Sequence, residues 1–235
     1  MKIVVRLLQR HPSAILLLVQ LMGVLLYPFI ENTKFGHAGL NTFGIFVLGM
    51  TIRTVRLTPG LSSISIGLAV PVVVLLLLQT FYDMPYLLPW SSGLEALFYF
   101  YAAGCLIAYM MEDYQTTTDD LYAAAATFTL LVWAFTYLFS AMQAVQPTAF
   151  SENGIQRTWS ELNHLSFALL TSTGMGGVVA VSSHARSVAS LEMMAGLMYL
   201  AAVVSRLISF TTHAGRAGSS TDKPDRTKDR SDRHS

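Results

Sequence analysis

Residues 159–170 read WSELNHLSFALL, 171–177 TSTGMGG, 178–186 VVAVSSHAR and 187–210 SVASLEMMAGLMYLAAVVSRLISF: a short amphipathic stretch, a glycine-rich run, a turn and a long apolar stretch. Thr158 with Glu161 makes a Thr-x-x-Glu capping box, which satisfies orphan amides and predicts a helix from Trp159 to about Leu170. At about 1.5 Å per residue that helix is about 18 Å long, too short to cross a hydrocarbon core of about 30 Å and long enough to enter it halfway. Its C-terminal carbonyls are expected to point toward the centre of a pore, where the negative end of the helix dipole favours a cation. In that run, Thr171 to Gly177, glycine lets alternate residues take dihedrals that a side chain would forbid, so that a row of backbone oxygens faces one way. Non-helical backbone at membrane depth is tolerated only when buried in protein or lining a cavity, so Ser172 to Gly177 must do one of these. This order of parts suits an ion path better than an active site.

The rest of the chain supplies the surroundings. Of its 235 residues 53% are hydrophobic and 12% charged, which argues against an ordinary soluble domain. Apolar spans near 14–30, 36–52, 61–82, 92–111, 121–143 and 188–210 predict six crossings, with His37, Asn41 and Thr42 interrupting the second and Glu95 near the start of the fourth. The expected fold is an all-α integral membrane protein: six transmembrane helices, with a re-entrant pore helix and filter loop between the fifth and sixth. Residues 1–116 then form a four-helix membrane scaffold, 117–211 a pore domain, and 212–235 a disordered cytoplasmic tail, whose Gly, Ser, Asp, Arg and Lys cannot bury enough surface to offset ordering entropy.

Met1 to Gln20 pairs a basic flank with an apolar core. No small-x-small cleavage pattern follows, and the core runs into Tyr27, Pro28 and Phe29, so the segment reads as an uncleaved first helix. Lys2, Arg6 and Arg10 precede the first span, Arg53 and Arg56 follow the second, and Arg206 and Arg216 end the sixth. Six crossings place all three groups on one side, with both termini in the cytoplasm. The Glu112 to Asp120 loop falls on that side too and is acidic, but acidic residues count little in this rule. Compact size and the absence of Asn-x-Ser/Thr acceptors fit a bacterial inner membrane.

Little else in the chain carries chemistry. Cys105 is the one cysteine and lies in an apolar span, so it forms no intrachain disulfide. No His, Cys and carboxylate cluster, serine elbow or phosphate loop is present, and the chain is read as not an enzyme. Gly93 to Met111 holds no arginine, which excludes a voltage sensor in the fourth span. The run Phe98, Tyr99, Phe100 and Tyr101 reads as packing, and His164 as a polar residue of the pore helix. Glu192 is the carboxylate of the last span. Facing lipid it costs about 2.5 to 3.5 kcal/mol, so it is expected to face protein or water, either as a bonded structural group or as a proton-sensitive gate. Gly196, four residues on, is a bending point for opening or a site of close helix packing.

The stretch from Phe167 to Phe210 resembles the pore and inner helix of bacterial potassium channels of the two-transmembrane pore-domain family, whose signature is Thr-Thr-Val-Gly-Tyr-Gly-Asp. Without a gap, Thr171 and Ser172 match the two threonines, Thr173 the valine, Gly174 and Gly176 the glycines, Met175 the tyrosine and Gly177 the aspartate. His184 to Ser187 is similar to the turn after the filter, and Met194-Ala195-Gly196 to the glycine hinge. The resemblance implies a homotetramer with one filter strand per subunit around a central axis, and Ser172 supplying hydroxyls to the innermost ion site. Met175 loses the hydroxyl that ties the strand to surrounding helices, Gly177 loses a carboxylate at the outer mouth, and Thr173 brings a hydroxyl where the family has an apolar contact.

The expected function is therefore passive cation flow, of potassium and in a looser pore also of sodium, with no cofactor, no resident metal and no nucleic-acid partner. Membrane lipids and further copies of the chain are the expected partners. A poorly selective cation pore and a non-conducting channel-like scaffold or regulatory subunit remain open beside it. A transporter would leave broken helices in both halves of the chain, and here one half carries such a break.

Overall fold

The computed structural model describes residues 12–31, 62–82, 85–112 and 118–219, with Gly44, Val47, Gly49 and Thr51 as helical positions between the first two stretches. Among the described residues the fold is all-helical, without a strand. It comprises α1 (Pro12–Glu31), α2 (Ser62–Tyr82), a 3-10 turn (Pro85–Leu87), α3 (Leu88–Glu112), α4 (Thr118–Val145), α5 (Trp159–Leu170) and α6 (Ser183–Ser219). Three of these helices are long and apolar enough to cross a membrane, over Leu88–Met111, Asp119–Val145 and Ser183–Arg206. α1 and α2 carry shorter apolar stretches, Ser13–Tyr27 and Gly67–Gln79.

Local chemistry explains where the helices begin. α3 starts four residues ahead of the span at 92 because Pro89 is compatible with a first turn, where amides lack intrahelical partners. α4 starts at Thr118, with Asp119 and Asp120 in the first turn, where the helix dipole favours acidic groups. α6 begins at Ser183 because the Ser182 hydroxyl accepts the Ala185 amide at 3.2 Å. His184 to Ser187 are therefore helical, not the turn that the resemblance implies. At its other end α6 runs on to Ser219, so residues 212–219 are helical where a disordered tail was expected; extending a formed helix costs far less than nucleating one. Most of the expected second span, Lys2, Arg6, Arg10, Arg53, Arg56 and residues 220–235 lie outside the described residues.

α4 is the hub, packed against α1, α3, α5 and α6. Pairwise contacts set the directions. Ser13 donates to Asp119 at 2.9 Å, so α1 and α4 start at one end of the bundle, called the base here. Arg206 meets Asp120 at 3.6 Å, so α6 descends to that base. Gln79 donates to Ser91 at 2.7 Å, joining the end of α2 to the start of α3 at the opposite end. Phe100 meets Phe135 edge-on at 4.8 Å, with α3 antiparallel to α4.

An apolar interior leaves hydroxyls few partners, and α4 satisfies its own: Thr127, Thr129 and Thr136 bond back to the carbonyls of Ala123, Ala125 and Val132 at 2.7, 3.1 and 2.7 Å. Toward the end away from the base, aromatic rings join four helices. Tyr27 stacks on Trp159 at 4.2 Å, Trp133 meets Trp159 edge-on at 5.7 Å, and Tyr99 contacts both Trp133 and Tyr137. Tyr99 and Phe98 are fully buried, so the aromatic run of the fourth span is packing. Glu95 is buried beside it, hydrogen-bonded to Tyr137.

The end of α4 is tied to the start of α5 by one side chain. Gln143 donates to the Arg157 carbonyl at 2.9 Å and accepts the Arg157 amide at 2.7 Å. Gln143→Leu removes both bonds from a site where Gln143 is buried, and should lower the unfolding free energy of the detergent-solubilised protein by about 1 to 3 kcal/mol. A thermal midpoint equal to that of the parent protein would mean that the pair does not hold α5 in place.

Candidate functional site

α5 is built as the capping box requires. Thr158 accepts the Glu161 amide at 3.3 Å, Glu161 accepts the Thr158 amide at 2.8 Å, and Arg157 pairs with Glu161 at 3.4 Å and reaches the Phe150 carbonyl at 3.3 Å. The helix spans Trp159–Leu170, the bounds read from sequence. Its first turn lies where α4 ends, and it then runs back along α4. Asn163 donates to the Thr136 hydroxyl at 3.2 Å, and one turn later Ser166 lies 2.9 Å from the Val132 carbonyl, near the middle of α4. Ser166 is also hydrogen-bonded to Glu192 of α6.

The C-terminal carbonyls of α5, expected to point toward a pore centre, are taken up by the chain that follows. Thr171 donates its amide to Phe167, Ser172 to Leu169 at 2.9 Å and Thr173 to Ala168 at 3.0 Å; the last two are the paired bonds of a Schellman cap. Gly174 also donates to Ala168, at 3.2 Å, and the Thr171 and Thr173 hydroxyls bond the Phe167 and Ala168 carbonyls. The chain following the helix consumes the acceptors because it folds directly back onto them.

Left-handed backbone occurs at Ser172, with φ +55°, and at Gly174, with φ +65°; Gly176 and Gly177 do not use it. At Gly174 glycine is the residue the dihedral favours. At Ser172 a side chain sits where glycine would be free of strain, at a cost of roughly 1 to 2 kcal/mol. The Schellman cap calls for a left-handed residue at this position, and its two paired hydrogen bonds offset that cost. Gly176 lies beside His164, whose Cδ2 would stand 3.8 Å from a Cβ built there. All of Thr171 to Gly177 is exposed, Met175 at 74%. Beside this segment is a hollow of about 120 Å³ lined by Leu165, Ala168, Leu169, Met175, Val178 and Ala189. The chain then returns to the end of the bundle where α5 began, the Val181 and Ser182 amides both donating to the Ala149 carbonyl.

α6 faces this assembly with a stripe at helical spacing: Ala185, Ala189, Glu192, Gly196 and Tyr199 are all buried. Gly196 packs against the end of α5. A Cβ there would collide with the Leu170 carbonyl oxygen and would lie 2.7 and 2.9 Å from its carbonyl carbon and Cα. Close packing is thus the role of Gly196 in this conformation. Tyr199 anchors the next turn by donating to the Ala124 carbonyl at 2.5 Å. The opposite face, including Leu191, Met194, Leu197, Met198 and Val204, is exposed; 22% of the apolar window of α6 is buried, against 56% for α4.

The residues singled out in sequence thus fall into two groups. Thr171 to Gly177 form one exposed, non-helical segment at the end of α5, and Glu192 and Gly196 meet α5 from behind, at Ser166 and Leu170. Sequence reading missed Gln143, Asn163 and Ser166. Their signal was present in Asn163 and Ser166, two polar residues three apart on a short helix otherwise rich in Leu, Phe and Ala. Among the described residues no group of three or more His, Cys, Asp or Glu is placed to hold a metal.

Gly196→Ala should destabilise the folded protein by about 1 to 3 kcal/mol, because backbone and not a flexible side chain must give way. Gly177→Ala, with nothing within 4 Å of the added methyl, should leave the midpoint unchanged. Equal midpoints for the two variants in a thermal melt would refute the close approach of α6 to Leu170. Comparisons of the chain with known protein families, with curated proteins and with solved structures return no match.

Proposed function

We propose that the protein is a passive cation channel, assembled as a homotetramer around an axis lined by Thr171 to Gly177. The observation that carries this reading is an exposed, polar, non-helical segment following a 12-residue helix, beside a long helix whose apolar outer face lacks partners among the described residues. Exposed backbone of this kind has no place against lipid and is compatible with water or with further copies of the chain. Four copies turned inward would surround an aqueous path with strand carbonyls and the Ser172 hydroxyl, and would cover the exposed face of α6.

Depth supports the same reading. α5 starts at the end of the bundle away from the base and reaches Val132 and Gly196 partway along α4 and α6; the chain then returns to its starting end. A re-entrant segment would follow such a path. The alternation of directions in α1, α3, α4 and α6 suits six crossings, with the base, where Asp120 meets Arg206, on the cytoplasmic side of a bacterial inner membrane. Selection requires only ordered oxygens, so the channel needs no cofactor and performs no covalent chemistry.

Weak discrimination between potassium and sodium is the second reading. It is favoured by the exposed Met175 thioether, by the absence of a carboxylate at Gly177 and by left-handed backbone at Gly174 but not at Gly176.

Purified protein in liposomes should pass potassium down its gradient, and Gly174→Ala, which places a methyl on a φ +65° backbone, should abolish the flux while the assembly stays intact. Equal potassium and sodium flux supports the second reading. Absence of both would leave a non-conducting membrane scaffold. Met175→Tyr combined with Gly177→Asp should raise potassium selectivity, and unchanged permeability ratios would count against Thr171 to Gly177 as the selecting strand.

A further inference from the structure

Glu192 is fully buried, on the face of α6 that packs on α4 and α5. Its Oε1 is hydrogen-bonded to Ser166, whose hydroxyl also lies 2.9 Å from the Val132 carbonyl; its Oε2 has no partner among the described residues. Two forms of this junction are possible, and they leave different numbers of groups unsatisfied. As a carboxylate, Glu192 has about four lone-pair sites and receives one hydrogen bond, with a full charge inside an apolar bundle. As a carboxylic acid it donates a hydrogen bond to the Ser166 oxygen, and the Ser166 hydroxyl donates to the Val132 carbonyl, so that each proton has an acceptor and no charge is buried.

The charged and titratable groups on the helices around Glu192 have other partners or lie away from it. On α5, Glu161 is paired with Arg157 and caps its own helix, and His164 lies beside Gly176. On α4, Asp119 accepts from Ser13, Asp120 pairs with Arg206, and Tyr137 is bonded to Glu95. On α6, Arg186 bonds the Ala180 carbonyl, His184 is exposed, and Tyr199 donates to Ala124.

The junction stands one turn ahead of the Gly196 and Leu170 contact, and Ser166 is six residues ahead of Ser172 on a helix whose last carbonyls hold Ser172, Thr173 and Gly174. A shift of α5 at Ser166 therefore moves the strand. We infer that Glu192 is a positioning residue for the Thr171 to Gly177 strand, acting as a neutral acid that joins α6 to α5 through Ser166, so that its ionisation loosens the strand and lowers cation flux. This rests on the channel reading above.

The experiment compares wild type, Glu192→Gln, Glu192→Leu and Ser166→Ala in liposomes of neutral phospholipid, with potassium flux followed from neutral to alkaline pH and assembly size checked by light scattering. Wild-type flux should fall about tenfold or more across that range, the scale of losing one buried hydrogen bond, while Glu192→Gln conducts at every pH with a flat profile. Glu192→Leu should conduct poorly throughout. An intact Glu192→Gln assembly that has lost flux, or one that keeps the wild-type pH profile, would overturn the inference. Wild type silent at every pH would sink the channel reading alone. The junction is then judged by thermal midpoint: Glu192→Leu and Ser166→Ala should each lower it and their double variant add little, whereas Glu192→Gln spares it; additive losses would refute the junction.

Discussion

α5 is too short to be stable by itself. A helix of 12 residues gains too few internal hydrogen bonds to repay its nucleation, so its position depends on what holds it from outside. Three polar contacts along one side do this: Gln143 at the Arg157 backbone, Thr136 at Asn163, and the Val132 carbonyl with Glu192 at Ser166. Trp159 adds an apolar anchor between Tyr27, Trp133 and Tyr137. The strand that follows, the face left open on α6 and the hollow behind the strand all take their places from this one helix.

Polar contacts work here because competition is absent. Inside an apolar bundle an unpaired hydroxyl or amide finds no water, so a buried polar side chain has few alternative partners and holds its helix to one register. α4 shows both uses: Thr127 and Thr129 satisfy themselves on their own helix, while Thr136 does so and also receives Asn163. Apolar contacts alone would leave α5 free to slide along α4. The spacing of Asn163 and Ser166, one turn apart, matches that of Thr136 and Val132 and removes that freedom.

Two sites combine small size with constraint in different ways. At Gly196 the absence of a side chain lets two backbones approach, a packing requirement of α6 against Leu170. At Ser172 the backbone favours glycine and a serine is present instead, held in a left-handed dihedral by the two paired bonds of the helix cap. Both lie on the same short path from α5 to the strand. Stability and proposed conduction therefore meet within a few residues.

Much of the bundle was legible in the residues themselves. The capping box placed the start of α5 at Trp159, and apolar spans located α1, α2, α3, α4 and α6 to within a few residues at most ends, because helix length and hydropathy are local properties. What sequence could not reach were properties of contact: that the last carbonyls of α5 bond the next turn, that Gly196 is a packing site, that Glu192 meets Ser166, and that α6 leaves an apolar face open. The composition and spacing of this chain determined an apolar helical bundle interrupted by one short capped helix and a glycine-rich strand. Only the tertiary structure decided which polar groups pair across helices, since residues 26 to 34 positions apart are brought together by packing and not by any local pattern.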